Sequence, residues 1–383
     1  MKICYITTIP ITLDAFVLPA IRYIHAHTDW EICVICDENP AFRQRLPEYI
    51  RYISVPMKRG ISLGGIGAML KMARIFRQEK FDMIQYSTPN AALYASLAGW
   101  LAGIPVRLYC QWGIAYVGFR GLKGRLLKSC EKLVCKLSTW VEPDSHGNLR
   151  FSREQGLYSE QKSSVIWNGS ASGVNLEKFD ISKKEQWRQD IRQKLGIGQD
   201  AFVYGFIGRI TGDKGINELF EAYRSCLQER ENTYLMLVGF MEKSDSVDEE
   251  LYEWARNEER VLFCDYTKVV EQYIAAMDVY ILPSYREGFG SAVVEAEAMG
   301  VPVIVSNIPG PTDAMAADQT GLVVNKADAR DLHKAMLRML DDRRLYCQFQ
   351  NAAHPFAAEH FEQEQLFAHI LKDRERLLNT VER

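Results

Sequence analysis

Short apolar runs alternate with longer helix-like segments along this chain, and the alternation occurs in two separate series. The first reads as strand at 2–6, helix at 18–27, strand at 31–36, helix at 66–78 and strand at 83–87, then helix at 91–101 and strand at 106–110. Strands with no polar alternation are buried on both faces, which requires a parallel sheet covered by helices on each side. The second series starts with strand 202–208 and continues with helix 217–230, strand 234–238, helix 249–258, strand 261–264 and helix 269–277. Strand 279–282, helix 291–299 and strand 302–306 complete it. The expected fold is α/β, with two doubly wound Rossmann-like domains and a cleft between them.

A chain of 383 residues exceeds one ordinary core, and two domains of roughly 150–200 residues are expected. The boundaries suggested are 1–178 and 179–362, with the charged, polar stretch 178–199 and its Gly196 and Gly198 as the linker. A last helix at 363–383 exceeds the second sheet's needs and is expected to pack back on the first domain. Composition, at 47% hydrophobic and 25% charged, is that of a globular protein. The net charge of −3 gives no reason to expect nucleic acid as a partner. Segment 83–106 is uncharged and long enough to raise a membrane span. Pro89, Asn90, Gly103 and Pro105 divide it into strand, helix and strand, so no transmembrane helix is expected. With no secretory signal at the start, a cytoplasmic setting is expected, and the nine cysteines read as reduced thiols. Cys33 and Cys36 form a C-x-x-C inside a strand, where residues three apart face opposite sides and cannot share a metal.

The stretch Glu287-Gly-Phe-Gly-Ser-Ala-Val-Val-Glu295 carries the chemistry. Asp278-Val-Tyr-Ile-Leu-Pro283 before it reads as a buried strand, and the helix formers after Ala292 stop at Gly300. A helix that opens on a glycine turn offers unpaired N–H groups to phosphate oxygens. Here they belong to Gly290, Ser291 and Ala292. Glu295, on the second helical turn, suits the two hydroxyls of a ribose, and Glu287 would face a sugar. The loop Gly208-Arg-Ile-Thr-Gly-Asp-Lys-Gly215 follows the first strand of the second series. Its Arg209 can grip phosphate oxygens bidentately, and Lys214 supplies a point charge. The loop is neither a Walker sequence nor G-x-G-x-x-G, which excludes a nucleotidase or dehydrogenase match. Alone, it reads equally well as a surface turn, and Glu295 as a solvated carboxylate. Together the two elements point to a sugar nucleotide.

These motifs, with Tyr285-Arg-Glu-Gly-Phe-Gly290, resemble the family 4 retaining glycosyltransferases of the GT-B fold over nearly the whole chain. Trp167-Asn-Gly-Ser-Ala-Ser-Gly-Val-Asn-Leu-Glu-Lys-Phe179, Ile308-Pro-Gly-Pro-Thr-Asp313, Gln319-Thr-Gly-Leu-Val-Val324 and Thr8-Ile-Pro-Ile-Thr-Leu-Asp-Ala-Phe16 resemble the branch that builds bacterial capsule, O-antigen and related glycans. The resemblance implies that Arg209 and Lys214 neutralise a leaving nucleoside diphosphate, Glu287 holds the donor sugar and Glu295 the ribose. Gly208, Gly288, Phe289, Gly290, Ser291 and Ala292 would line the donor site, and Asp265 and Tyr266 would border the base. It also implies transfer with retention, a preference for a UDP-sugar, and no cofactor and no metal, because cations and a helix N-terminus meet the departing charge.

Two departures from the family's pattern bear on the sugar. Relatives often carry Gly-Gly after the first strand, where residues 7–16 here contain no glycine. Relatives also show Thr-x-His-Gly after strand 106–110, where this chain has Cys110-Gln-Trp-Gly113. An indole can stack on a sugar or donate one hydrogen bond, but it cannot accept one. Thr8, Trp112, Gly113 and His146 are therefore the candidates on the acceptor and donor-sugar side, with His146 either a spatial substitute or an ordinary surface histidine.

Residues 120–136 hold six cations and one acid. As a helix they would place Arg125, Lys128, Lys132 and Lys136 on one side and Leu122, Leu126, Cys130, Leu133 and Leu137 on the other. The expectation is a buried leucine face and a basic outer face, either solvated or docked on an anionic membrane, with Lys58 and Arg59 extending it. The partners expected are a nucleotide sugar, a glycan acceptor linked to a polyprenyl lipid, and the inner face of the cytoplasmic membrane. Alternatives are a soluble acceptor or a sugar-nucleotide-binding protein without activity.

Overall fold

Two sheets of six parallel strands organise the chain. The structure, a computed structural model, describes residues 1–57, 64–119, 121–242 and 246–380. Lys58, Arg59 and Arg120 of the expected basic patch and residues 381–383 of the expected last helix therefore lie outside the described residues. The chain divides into one unit of Met1–Ser172 with Glu364–Arg383 and a second of Gly173–Gln363.

In the first unit, β1 (Lys2–Ile6), β2 (Glu31–Cys36), β3 (Ile50–Ser54), β4 (Met83–Tyr86), β5 (Val106–Gln111) and β6 (Trp140–Pro143) run in the order β3-β2-β1-β4-β5-β6. The strand order reverses between β1 and β4, which is the switch point of a doubly wound sheet. Cys33 faces the core that includes Met72, Phe76 and Ala95, while Cys36 faces the opposite one with Leu13 and Ile21. The C-x-x-C residues thus point to different sides, as a strand dictates.

The Gln363–Asn379 helix belongs to this unit and buries Leu366, Phe367, Ile370, Leu377 and Leu378 beside Ile3, Val34 and Leu108. Arg374 of that helix, 1% exposed, meets Glu142 of β6 with both guanidinium nitrogens, one of them at 2.9 Å. It also donates to Gln85 Oε1 at 3.1 Å. Burial works against its charge, but Glu142 more than offsets this and raises its pKa above the ordinary arginine value.

The helix Gly121–Leu137 exposes the leucines expected on the side away from the cations. Leu122 is 83% and Leu126 55% exposed, and Leu133 is exposed as well. The face turned inward carries Gly124, Glu131, Val134 and Cys135. Glu131 explains the orientation, since it accepts from Gln111 Nε2 at 2.5 Å and from the Tyr109 hydroxyl at 2.9 Å. Gly124 allows the approach, because a Cβ there would lie 2.4 Å from the Phe119 carbonyl oxygen. Lys128, expected in the outer patch, is half-buried and donates to Gln155 Oε1 at 2.6 Å. Arg125, Lys132 and Lys136 are exposed alongside the leucines.

In the second unit, β7 (Phe202–Ile207), β8 (Thr233–Val238), β9 (Val261–Cys264), β10 (Val279–Leu282), β11 (Val303–Ser306) and β12 (Gly321–Val324) run in the order β12-β11-β10-β7-β8-β9. The reversal lies between β7 and β10. The stretch 178–199 is not a linker. It contains the helix Lys184–Leu195, packed on the helix Val270–Ala276, and the chain passes between the units at Ser172–Gly173 and Gln363–Glu364. Arg192 looks solvated in the sequence but is fully buried, paired with Asp278 at 2.7 Å and donating to the Ala201 and Ala276 carbonyls. No described helix is long and apolar enough to cross a membrane.

Candidate active site

The loops that follow β7 and β10 flank the switch point of the second sheet, where open α/β sheets bind ligands. Lys214, in the first loop, reaches Glu287 in the second, with Nζ 2.6 Å from Oε1. The Ser284 hydroxyl donates to the same oxygen at 2.7 Å. Both members of the pair are largely shielded, at 19% and 13% side-chain exposure. Gly215 makes the approach possible. It adopts φ +73, and a Cβ there would stand 2.0 Å from the Pro283 carbonyl oxygen. The loops are clamped again by the Tyr285 amide donating to the Asp213 carbonyl at 2.9 Å and by Arg286 pairing with Asp213 at 3.1 Å. Burial opposes ionisation of Asp213, but the Thr211 hydroxyl with Arg286, Arg209 and Lys214 outweighs it and holds the carboxyl below its usual range.

A cavity of about 550 Å³ opens at the carboxyl ends of β7, β8 and β9, within the usual size of a small-molecule site. Gly208, Arg209, Tyr266 and Glu295 line it, as expected. Lys178, Phe240, Thr267 and Lys268 line it as well and were not anticipated. Tyr266 is 65% and Phe240 51% exposed, so both present open aromatic surface. Asp265, expected at the base, is exposed and not part of the lining. Burial raises the Glu295 pKa; Lys178 lowers it and Glu271 raises it further. Arg209 is half-exposed and paired with Glu242.

The helix Ser291–Ala298 begins at Gly290, whose φ of +88 sets the turn. The first N–H groups of such a helix have no partner within it, and Ser291 and Ala292 are half-buried there. Phe289 does not face a ligand. Its ring is 3% exposed and packs on Phe361 at 5.3 Å, so only its backbone remains for the donor site. The neighbouring Gly288 carbonyl is covered by the loop 308–313, where a Cβ on Gly310 would come within 2.1 Å of it.

In the first unit, Thr8 is committed to the fold. Its hydroxyl bonds the Thr88 hydroxyl at 2.7 Å and its amide donates to the same oxygen at 3.0 Å, across the β1–β4 switch point. Thr88 sits at φ +67, a strained conformation for a β-branched residue. Trp112 is half-buried against Phe16, with ring centroids 5.8 Å apart. Its indole N–H has no hydrogen-bond partner among the described residues. Gly113 follows at φ +92, and His146 is exposed at the start of the helix His146–Glu154. Among the described residues no group of three or more His, Cys, Asp or Glu is placed to share a metal.

Residues 188–355 match the family model of glycosyl transferases group 1, and residues 2–141 match that of glycosyl transferase 4-like domains. The capsular polysaccharide biosynthesis glycosyltransferase CapM of Staphylococcus aureus is 30% identical over 293 residues, covering 76% of this chain and 76% of the relative. The chain belongs to this glycosyltransferase family. The glycosyltransferase is also 25% identical over 328 residues to the UDP-Gal:alpha-D-GlcNAc-diphosphoundecaprenol alpha-1,3-galactosyltransferase of Escherichia coli, covering 84% of this chain and 83% of that one. Its fold matches that of Anabaena Alr3699/HepE, solved in complex with UDP, at TM-score 0.79 and 20% identity, over 98% of this chain and 100% of that chain. The fold is GT-B.

Proposed function

We propose that the glycosyltransferase moves a hexosyl or N-acetylhexosaminyl unit from a UDP-sugar to a polyprenyl-linked glycan, with retention and without a metal ion. One observation carries the reading: the cavity at the carboxyl ends of β7, β8 and β9 joins a carboxylate, Glu295, with the cations Arg209 and Lys268 and the exposed rings of Phe240 and Tyr266. A carboxylate accepts from two ribose hydroxyls, cations meet the diphosphate, and an open ring stacks on a base. Beside the cavity, Lys214 and the Gly290–Ala292 turn are the groups available to the charge that grows on the leaving diphosphate. Lys214 also orients Glu287, whose free oxygen is then available to a hydroxyl of the transferred sugar. The E. coli relative, named for a UDP-Gal donor and a diphosphoundecaprenol-linked acceptor, supports both halves of the assignment.

A thermal-shift panel of UDP-, GDP-, ADP- and TDP-sugars tests the donor. Binding stabilises by mass action, so UDP-sugars are expected to raise the melting temperature most. A larger shift with another base would overturn the assignment.

The helix Gly121–Leu137, with leucines and cations exposed together, supports an acceptor in a membrane. Exposed Leu122, Leu126 and Leu133 stand among Arg125, Lys132 and Lys136, so apolar side chains can enter a bilayer surface while cations meet anionic headgroups. Peripheral attachment to the cytoplasmic face of the membrane follows in this reading. Burying one leucine is worth ~1.5–3 kcal/mol. Leu122→Glu with Leu126→Glu is therefore expected to weaken co-sedimentation with phosphatidylglycerol vesicles by at least about 100-fold. UDP binding should not change, and unaltered vesicle binding would sink the membrane assignment.

A further inference from the structure

Tyr285 stands two positions before Glu287, and its hydroxyl donates to Glu218 Oε1 at 2.6 Å, across 67 positions of chain. Glu218 lies in the first turn of the helix Ile216–Glu229, which starts directly after the loop that carries Lys214. Its other oxygen, Oε2, is buried and has no hydrogen-bond partner among the described residues. The phenol therefore meets a carboxyl that is already half unsatisfied, where losing a further partner is costly. Burial, and then Glu218, raise the Tyr285 pKa, so the phenol keeps its proton and remains a donor.

This contact differs in kind from the other clamps at the same place. Lys214 with Glu287, Arg286 with Asp213, and the Tyr285 amide with the Asp213 carbonyl all join one loop to the other. Two loops that hold each other can still shift as a pair. Glu218 belongs to a helix whose next residues, Leu219 and Phe220, are fully buried in the core of the second unit. Its bond to Tyr285 thus ties the loop after β10 to a fixed body. Lys214 meets a single oxygen of Glu287 at 2.6 Å, and Ser284 shares that oxygen at 2.7 Å. A displacement of about 1 Å takes such contacts out of hydrogen-bond range and can cost roughly 100-fold in rate.

We propose that Tyr285 and Glu218 are positioning residues for the transfer step: the bond between them fixes the loop after β10, so that Glu287 and Lys214 keep their mutual placement while the leaving group departs. The inference rests on the reading of Lys214 and Glu287 as the groups that act on the donor. Neither Tyr285 nor Glu218 needs to touch a substrate for this role. Both act through the pair.

The test is UDP release by the full chain from UDP-glucose, UDP-galactose, UDP-N-acetylglucosamine and UDP-N-acetylgalactosamine, with water as acceptor, beside calorimetric melting. Tyr285→Phe is expected to lower kcat by about ten- to a hundredfold, while the donor KM stays close to that of wild type. Glu218→Ala should match it, and Glu218→Gln, which keeps an oxygen for the phenol, should recover most of the rate. In a Lys214→Ala background Tyr285→Phe should cost little more, since it acts through that lysine and its partner. A lower melting temperature with kcat unchanged would make the bond a structural tie alone and overturn the proposal. So would an equal loss from Tyr285→Phe in the wild-type and Lys214→Ala backgrounds. If wild type releases UDP from none of the four donors, the reading of these loops as transfer groups fails, and the proposal falls with it.

Discussion

Lys214→Ala is expected to lower sugar transfer by roughly 10²–10³-fold, the usual cost of removing one preorganised charge from a transition state. The structure gives two reasons for a loss at the upper end. Lys214 is the shielded cation of the switch-point loops, and Glu287 depends on it at 2.6 Å. Removing the ammonium leaves the Glu287 carboxylate with only the Ser284 hydroxyl as partner among the described residues, so in the proposed reading the group for the sugar is disturbed together with the group for the phosphate. Glu287→Ala should cost a similar factor, and the double variant little more than either single one, because the two groups act as a unit. The measurement is UDP release with a matched donor and acceptor, with circular dichroism confirming the fold. Additive losses in the double variant would show that the two side chains serve separate steps. A fully active Lys214→Ala would remove the leaving-group role altogether.

Arg374→Met is expected to destabilise the first unit by about 3–5 kcal/mol, since breaking a buried pair from one side leaves an uncompensated charge. Glu142 would lose both of its guanidinium contacts, and the helix Gln363–Asn379 would lose its link to Gln85 of β4 and Glu142 of β6. In calorimetry the transition of this unit should fall by roughly 6–20 °C. UDP should still raise the transition of the other unit, because all the lining residues of the cavity lie in Gly173–Gln363. Adding Glu142→Leu to Arg374→Met should recover part of the loss, as apolar replacements of buried pairs often do. A fall of less than about 2 °C in the single variant would mean that the pair is not ionised in the folded protein.

The central strands of both sheets are legible in the sequence because burial on two faces leaves nothing but apolar residues, as in Val279–Leu282. The edge strands β3 and β6 are not, since β3 carries Arg51 on a half-exposed face and β6 contains Glu142 and Pro143. Lys214 and Glu287 stand out through the glycines that their loops require, although 73 positions separate them. Lys178 and Arg192 hide in a charged stretch, because a sequence does not say which cation meets a buried carboxylate. The helix Gly121–Leu137 misleads for the complementary reason. A leucine stripe implies burial only where no polar network claims the inner face, and here Glu131 with Gln111 and Tyr109 claims it. Phe289 looks like a ligand contact from its motif, yet the turn at Gly290 directs its ring into the core against Phe361.

The return of Glu364–Arg383 to the first unit sets an order of assembly. On the ribosome the whole of Gly173–Gln363 is made before Arg374 appears. The second unit therefore has all its parts while Glu142 still waits for its partner. The usual vectorial sequence, in which the N-terminal domain matures first, is inverted. A nascent chain paused near residue 363 would present a complete second unit and a first unit that still exposes the apolar groove for Leu366, Phe367 and Ile370. That groove is where a chaperone would be needed, and slow translation of residues 364–380 would lengthen the need.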